Sequence, residues 1–382
     1  MLSRRSFLLA ASAGAVALSV RPASAATALP LTIVNDSGEF ANTSIWCYLV
    51  GTDSAGNQFR VRADGSIAPV SLSDNGSDGF TDYAIPLNAS GATTINVPPM
   101  SGRLYFALGQ KLKFKAVTDG AGRPALQYPA GWVASDPNYR ILHDFVEFTL
   151  DDLGMHCNTT MVDQFSVPLS IQLTGAASQS TGTLKAGGRA QIFDQIRAQP
   201  DFANLVVDDL RVIAPGHGLD AGRFSATYFD SYTDAVWAKY AGTDLRLDTG
   251  SAVFTGRVGS DGNLVVRDGS GRTASPIRRP STRDILFCDG ALAAPNDGLT
   301  GPVAALLGAA LNRSTLLDNP NQPVSDPGAF YRTAVTNHYA RIMHTATADG
   351  RAYGFAFDDV GGFASYIEDP APRSCTVTLT PF

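Results

Sequence analysis

Charge is sparse in this sequence, and positive charge most of all. Asp, Glu, Lys and Arg make up 17% of the chain, with 29 basic residues against 35 acidic ones. A chain short of cations has no patch to set against phosphates or an anionic bilayer, so neither nucleic acid nor a membrane surface is expected as a partner. After residue 25 no apolar run is long enough to cross a bilayer. The four cysteines include no Cys-x-x-Cys pair, and His-Glu-x-x-His is missing, so no metal or cofactor is expected. His338 and His344 are six residues apart and do not share a helix face as an i, i+4 metal pair would. Gly-x-Ser-x-Gly is also missing, which removes the nucleophile-elbow hydrolases. What remains is polar with little charge: 37 Gly and 22 Pro suit a loop-rich, exported β protein.

Residues 1–25 read as a signal peptide. Arg4 and Arg5 precede Phe7 and Leu8, an apolar run follows to Val20, and Ala23-Ser24-Ala25 supplies a cleavage site. The paired arginines point to the bacterial twin-arginine route, which exports folded proteins, and the mature chain is expected to be secreted. Without Arg4, Arg5 and Arg21 the basic count falls from 29 to 26 against 35 acids, a net charge of about −9. Four cysteines in an exported chain predict disulfides in one of three pairings. Cys47 and Cys375 lie in early and late strand-like runs, so Cys47 with Cys375 and Cys157 with Cys288 is the pairing favoured.

Strand patterns fill the first part of the chain, at 31–34, 44–50, 93–97, 102–108 and 112–116, with turn clusters between them. Helical spacing enters at 189–198, 228–240, 303–311 and 329–343. The second of these carries Phe229, Tyr232, Val236, Trp237 and Tyr240 on one stripe. Strand patterns return from 353. The expected fold is mainly β with an α/β insertion: a barrel or sandwich lobe from 26–174 and 351–382, and a mixed lobe from 175–350.

Two acids stand out in what reads as one β-hairpin. Phe145 to Leu150 and Thr159 to Leu169 alternate, and Asp151, Gly154 and Asn158 lie between them. A turn centred near Met155 would set Glu147 opposite Asp163, with both side chains on one sheet face. Paired carboxylates of this kind suit glycoside hydrolysis, one protonating the leaving oxygen and one activating water. Two solvated strand carboxylates would give the same spacing.

The chain resembles glycoside hydrolase family 64, thaumatin-like endo-β-1,3-glucanases that release laminaripentaose. The resemblance rests on Ser101-Gly-Arg-Leu-Tyr-Phe, the segment Glu147-Phe-Thr to Val162-Asp163, and Leu210-Arg-Val-Ile-Ala-Pro-Gly-His217. It continues through Leu311-Asn-Arg-Ser, Thr336-Asn-His-Tyr-Ala-Arg341, Tyr353-Gly-Phe-Ala-Phe-Asp-Asp-Val360 and Thr380-Pro-Phe382. It implies a thaumatin-like β lobe and a mixed lobe flanking a wide groove, inversion at the anomeric centre, Glu147 as general acid and Asp163 as general base. It also implies a monomer whose partner is β-1,3-glucan of the laminarin or curdlan type, with Thr149, Asp151 and His156 touching the sugar. His156 departs from the family's Trp, a sugar platform, and offers less stacking area. A thaumatin-like glucan-binding protein without turnover is the alternative. Phe145, Phe148 and Asp163 are expected to keep Glu147 protonated by desolvation and like charge.

Overall fold

The computed structural model describes residues 28–382; the segment read as a signal peptide lies outside the described residues. Strands hold 32% of the described residues and helices 20%, so the molecule is mainly β as its patterning indicates. One sheet runs in the order Ser178–Thr181, Leu169–Thr174, Ser374–Leu379, Leu29–Asn35, Thr93–Val97. A second, larger one runs Tyr366–Asp369, Gly154–Thr159, Leu142–Asp151, Met100–Leu108, Ile45–Thr52, Gln58–Val61, Ile67–Pro69. Neither closes into a barrel. Alternation decides which faces meet. In Thr93–Val97 and Ser374–Leu379 every second residue is buried. Ile33, Ile95 and Val377 thereby pack with Leu104, Phe106, Val146 and Phe148 of the larger sheet in one sandwich core.

A second core gathers Met161 and Phe165 with the helices Gly188–Arg197, Asp230–Gly242, Thr300–Asn312 and His338–Ala346. In Asp230–Gly242 the stripe expected from spacing is buried, and Phe229 lies just before it at 0% exposure. One predicted helix is mostly not helix. In 329–343 only the part from His338 is helical, because Asn337 caps there, its side chain accepting from Ala340 N. The preceding Tyr331 is left-handed, with φ 58°, and its amide donates to Arg313 O. The strand expected at 112–116 begins only at Lys115.

The hairpin exists, but its register differs from the expected one by five residues. Glu147 pairs with Asn158, and Asp151 with Gly154, so the turn is Asp152-Leu153. Asp151 Oδ1 accepts from Leu153 N at 2.8 Å, the local bond that makes Asp a turn former. The second arm ends at Thr159, and Gln164–Phe165 joins a different sheet, against Arg211–Ile213.

All four cysteines are buried thiols, and neither expected disulfide is made. Cys47 sits mid-sheet in Ile45–Thr52, and Cys288 lies by the second core, packed with Phe355 and Phe357. Cys157 instead meets Cys375 across the sandwich, thiol to thiol. Burial pushes the Cys47 thiol up to about 12.

Gly154 closes the turn at φ 123°, where a Cβ would lie 2.1 Å from Asp369 O. Gly154→Ala would combine this overlap with a left-handed backbone costing about 1–3 kcal/mol. It should lower the melting temperature by several degrees and loosen the Tyr366–Asp369 edge strand, read by calorimetry and amide exchange.

Candidate active site

The face of the larger sheet opposite the sandwich core carries polar rows running across the strands. Pairing aligns Gln58, Thr52, Ser101, Thr149, His156 and Glu368 in one row. The next row holds Arg60, Val50, Arg103, Glu147, Asn158 and Tyr366. Because side chains repeat with period two, these residues are the necessary complement of the buried Leu49, Leu104, Phe148 and Cys157. Five inter-strand steps of about 4.8 Å make each row roughly 24 Å long.

Arg103 is the centre of this face. Its Nε and Nη2 lie 3.0 and 2.9 Å from Glu147 Oε1. Nη1 donates to Tyr105 Oη at 3.1 Å, and the Phe145 ring covers the guanidinium at 4.3 Å. Burial works against its charge, yet Tyr105, Glu147 and Asp163 hold it a firm cation. The same Nη2 is 3.9 Å from Asp163 Oδ2. Those two contacts cap the separation of Glu147 Oε1 and Asp163 Oδ2 at their sum, about 6.8 Å. The acids therefore come together as expected, but not as a directly opposed strand pair. Asp163 lies past the strand end, its carbonyl accepting from Ala214 N and its Oδ1 2.9 Å from His217 Nε2. Asp163's side chain is 10% exposed and Glu147's 28%. The surroundings expected for Glu147 also differ: Phe148 faces the sandwich core, and Phe145 covers Arg103.

The remaining predicted residues are placed unevenly. Thr149 shares this face and meets Ser101 hydroxyl to hydroxyl at 3.0 Å. Asp151 lies at the end of the strand and builds the turn. His156 is drawn into a cluster in which Nδ1 is 2.7 Å from Tyr366 Oη and 3.1 Å from Glu368 Oε2. Its ring stacks on Tyr366, with centroids 6.3 Å apart. Arg103, Tyr105, Asn158, Trp132 and His217 were not singled out by sequence. A cation alone in the apolar strand Met100–Leu108 is a signal that could have found Arg103; Trp132, on a loop, gives none. Asp358 acts structurally, fully buried between Arg313 and His344 and accepting from Gly354 N.

A family model for β-1,3-glucanases, glycoside hydrolase family 64, matches residues 27–379. The chain belongs to this family. A glucan endo-1,3-β-glucosidase of Arthrobacter sp. (strain YCWD3) is 37% identical, the match spanning 97% of this chain and 68% of that one. Its counterpart from Cellulosimicrobium cellulans is 36% identical at the same coverage. Among solved structures, a laminaripentaose-producing β-1,3-glucanase in complex with laminaritetraose superposes with a TM-score of 0.85 at 39% identity. That match covers 93% of this chain and 99% of the other. A family 64 domain from Clostridium beijerinckii gives 0.82 at 26% identity, covering 93% and 98%.

Asp359 is a charge this family 64 fold does not accommodate well. Burial pushes its carboxyl up to about 6, and Oδ1 is buried with no hydrogen-bond partner. A raised value means the native state holds the proton more tightly than the unfolded chain. The stability so gained is complete near pH 4 and lost as pH rises through about 6. Asp359→Asn should therefore melt higher than the parent at about pH 8 and no higher at about pH 4, with the difference appearing around pH 6.

Proposed function

We propose that this chain is an endo-β-1,3-glucanase that hydrolyses laminarin- or curdlan-type glucan with inversion, Glu147 acting as general acid and Asp163 as general base. The observation that carries it is the pair of carboxylates on one guanidinium, their facing oxygens no more than about 6.8 Å apart. Inversion calls for carboxyl groups about 6.5–9.5 Å apart, room for a water between the base and the anomeric carbon. Retention calls for about 5–5.5 Å, which lies under the same upper bound, so inversion rests on the family resemblance and the product anomers decide it.

In this reading Glu147 Oε1 takes both guanidinium contacts, and Oε2, with Asn158 Nδ2 at 3.5 Å, carries the transferable proton. Glu147 gives that proton to the glycosidic oxygen as the bond breaks. Asp163 takes one from the water attacking the opposite face of the oxocarbenium-like centre. Arg103 keeps a fixed positive charge between the acids as each changes its own. Thr149, Ser101 and His156 line the sugar track, with Asp151 at its rim. Release of laminaripentaose-like products is supported by the structural relative that makes laminaripentaose, and the chain is taken to act as a monomer. Binding without turnover, the other reading, is separated by the same assays.

Glu147→Gln should lower turnover on laminarin about 10²–10⁴-fold while leaving glucan binding nearly intact; near-parental activity would remove Glu147 from the chemistry. Asp163→Gly should be as impaired and be partly restored by azide, giving an α-glycosyl azide. Proton NMR of early hydrolysis should show α-anomeric ends first, and early β ends would overturn inversion. Export by the twin-arginine route belongs to the same proposal, since a polymeric glucan lies outside the cell. Replacing Arg4 and Arg5 with Lys should hold the protein in the cytoplasm, read by fractionation.

A further inference from the structure

His217 belongs to the short helix Pro215–Asp220, outside the sheet that carries Glu147. Its ring lies flat against Trp132, centroids 4.2 Å apart at 19°, with Phe287 edge-on at 5.5 Å. Gly216 allows this, since a Cβ there would sit 3.1 Å from the Phe287 ring. Thus clamped, the side chain is 14% exposed and directs Nε2 to Asp163 Oδ1 at 2.9 Å. The same turn holds the backbone of Asp163, through Ala214 N to Asp163 O at 3.1 Å. Oδ2 is left on the side of Arg103 and Glu147. One oxygen of the carboxylate is thereby distinguished from the other.

Building on the reading of Asp163 as general base, we propose that His217 is a positioning residue. Its Nε2–H holds Oδ1 and so turns Oδ2 toward the attacking water, while Trp132 and Phe287 fix the plane of the imidazole. In the step it serves, water loses a proton to Oδ2 as its oxygen bonds to the anomeric carbon, the glycosidic carbon–oxygen bond breaks with its electron pair passing to the leaving oxygen, and that oxygen receives the proton of Glu147. A carboxylate free to rotate about χ2 would spend part of its time with neither oxygen aligned. Misplacement on the scale of 1 Å costs about 100-fold.

The test compares His217→Ala with His217→Gln, whose amide N–H reaches the same acceptor. On laminarin, Ala should lower kcat about 100-fold with KM within about twofold, and Gln should recover most of the loss. Adding His217→Ala to Asp163→Gly should leave the azide-supported rate unchanged, because the external anion does not need His217. An undiminished kcat in His217→Ala overturns the proposal. So does an equal loss in Ala, Gln and the azide-supported background, which would mark His217 as a structural tie only. A fully active Asp163→Asn would be a different failure, removing the base itself. A dead Asp163→Asn beside an unaffected His217→Ala sinks only the positioning role.

Discussion

A single guanidinium sets the terms for the rest of the site. Arg103 neutralises part of the repulsion between two carboxylates that the fold forces into one space, and it is itself kept rigid by Tyr105 and the Phe145 ring. Removing a charge from water is affordable only where its partners are fixed and near. Here three of those partners are set by strand register: Glu147 pairs with Arg103, Tyr105 follows two residues along the same strand, and Phe145 pairs with Tyr105. The polar face of the sheet can carry such a cluster because the other face supplies the apolar burial.

The second core depends on an analogous device. Arg313 and Asp358, 2% and 0% exposed, form an ion pair at 3.1 Å, and Arg313 Nη1 also donates to Val360 O. His344 holds the other oxygen of Asp358 at 2.9 Å; burial disfavours its charge, but Asp358 outweighs this and raises its proton affinity. Together they pin the segment around 350–360 to the helix His338–Ala346. Met161 N donates to Tyr353 O in that segment, two residues before Asp163. Order in the second core is thus transmitted to the segment that carries Asp163.

Period-two and 3.6-residue patterning made much of this legible in advance. The strand at 93–97 and the buried stripe of Asp230–Gly242 follow from burial alone, which any local window records. Register does not, because it depends on which residues turn. Asp151-Asp152-Leu153-Gly154 is the turn, a Gly-closed run, and it shifts the pairing five residues from the register that a centre at Met155 implies. The cysteines show a related conflict. Cysteine count favours disulfides in an exported chain, but pairing depends on which strands meet in space, and the structure holds four buried thiols. His217 and Trp132 were illegible for a third reason: their meaning lies only in what a distant segment brings beside them.

The separation of the two acids depends on both cores. Glu147 is fixed by its sheet, paired on both sides with Arg103 and Asn158. Asp163 is fixed elsewhere, in a segment flanked by Met161 and Phe165 of the second core and tied to Ala214 and His217. If both acids sat in one hairpin, strand spacing would dictate a short distance, and no change outside the hairpin could alter it. Because they belong to different cores, the gap is set by how the second core seats against the sheet. That arrangement frees the carboxylate separation from β-sheet geometry, and it makes the contacts of His217 and Arg103 the fine adjustment of a distance that the two cores set coarsely.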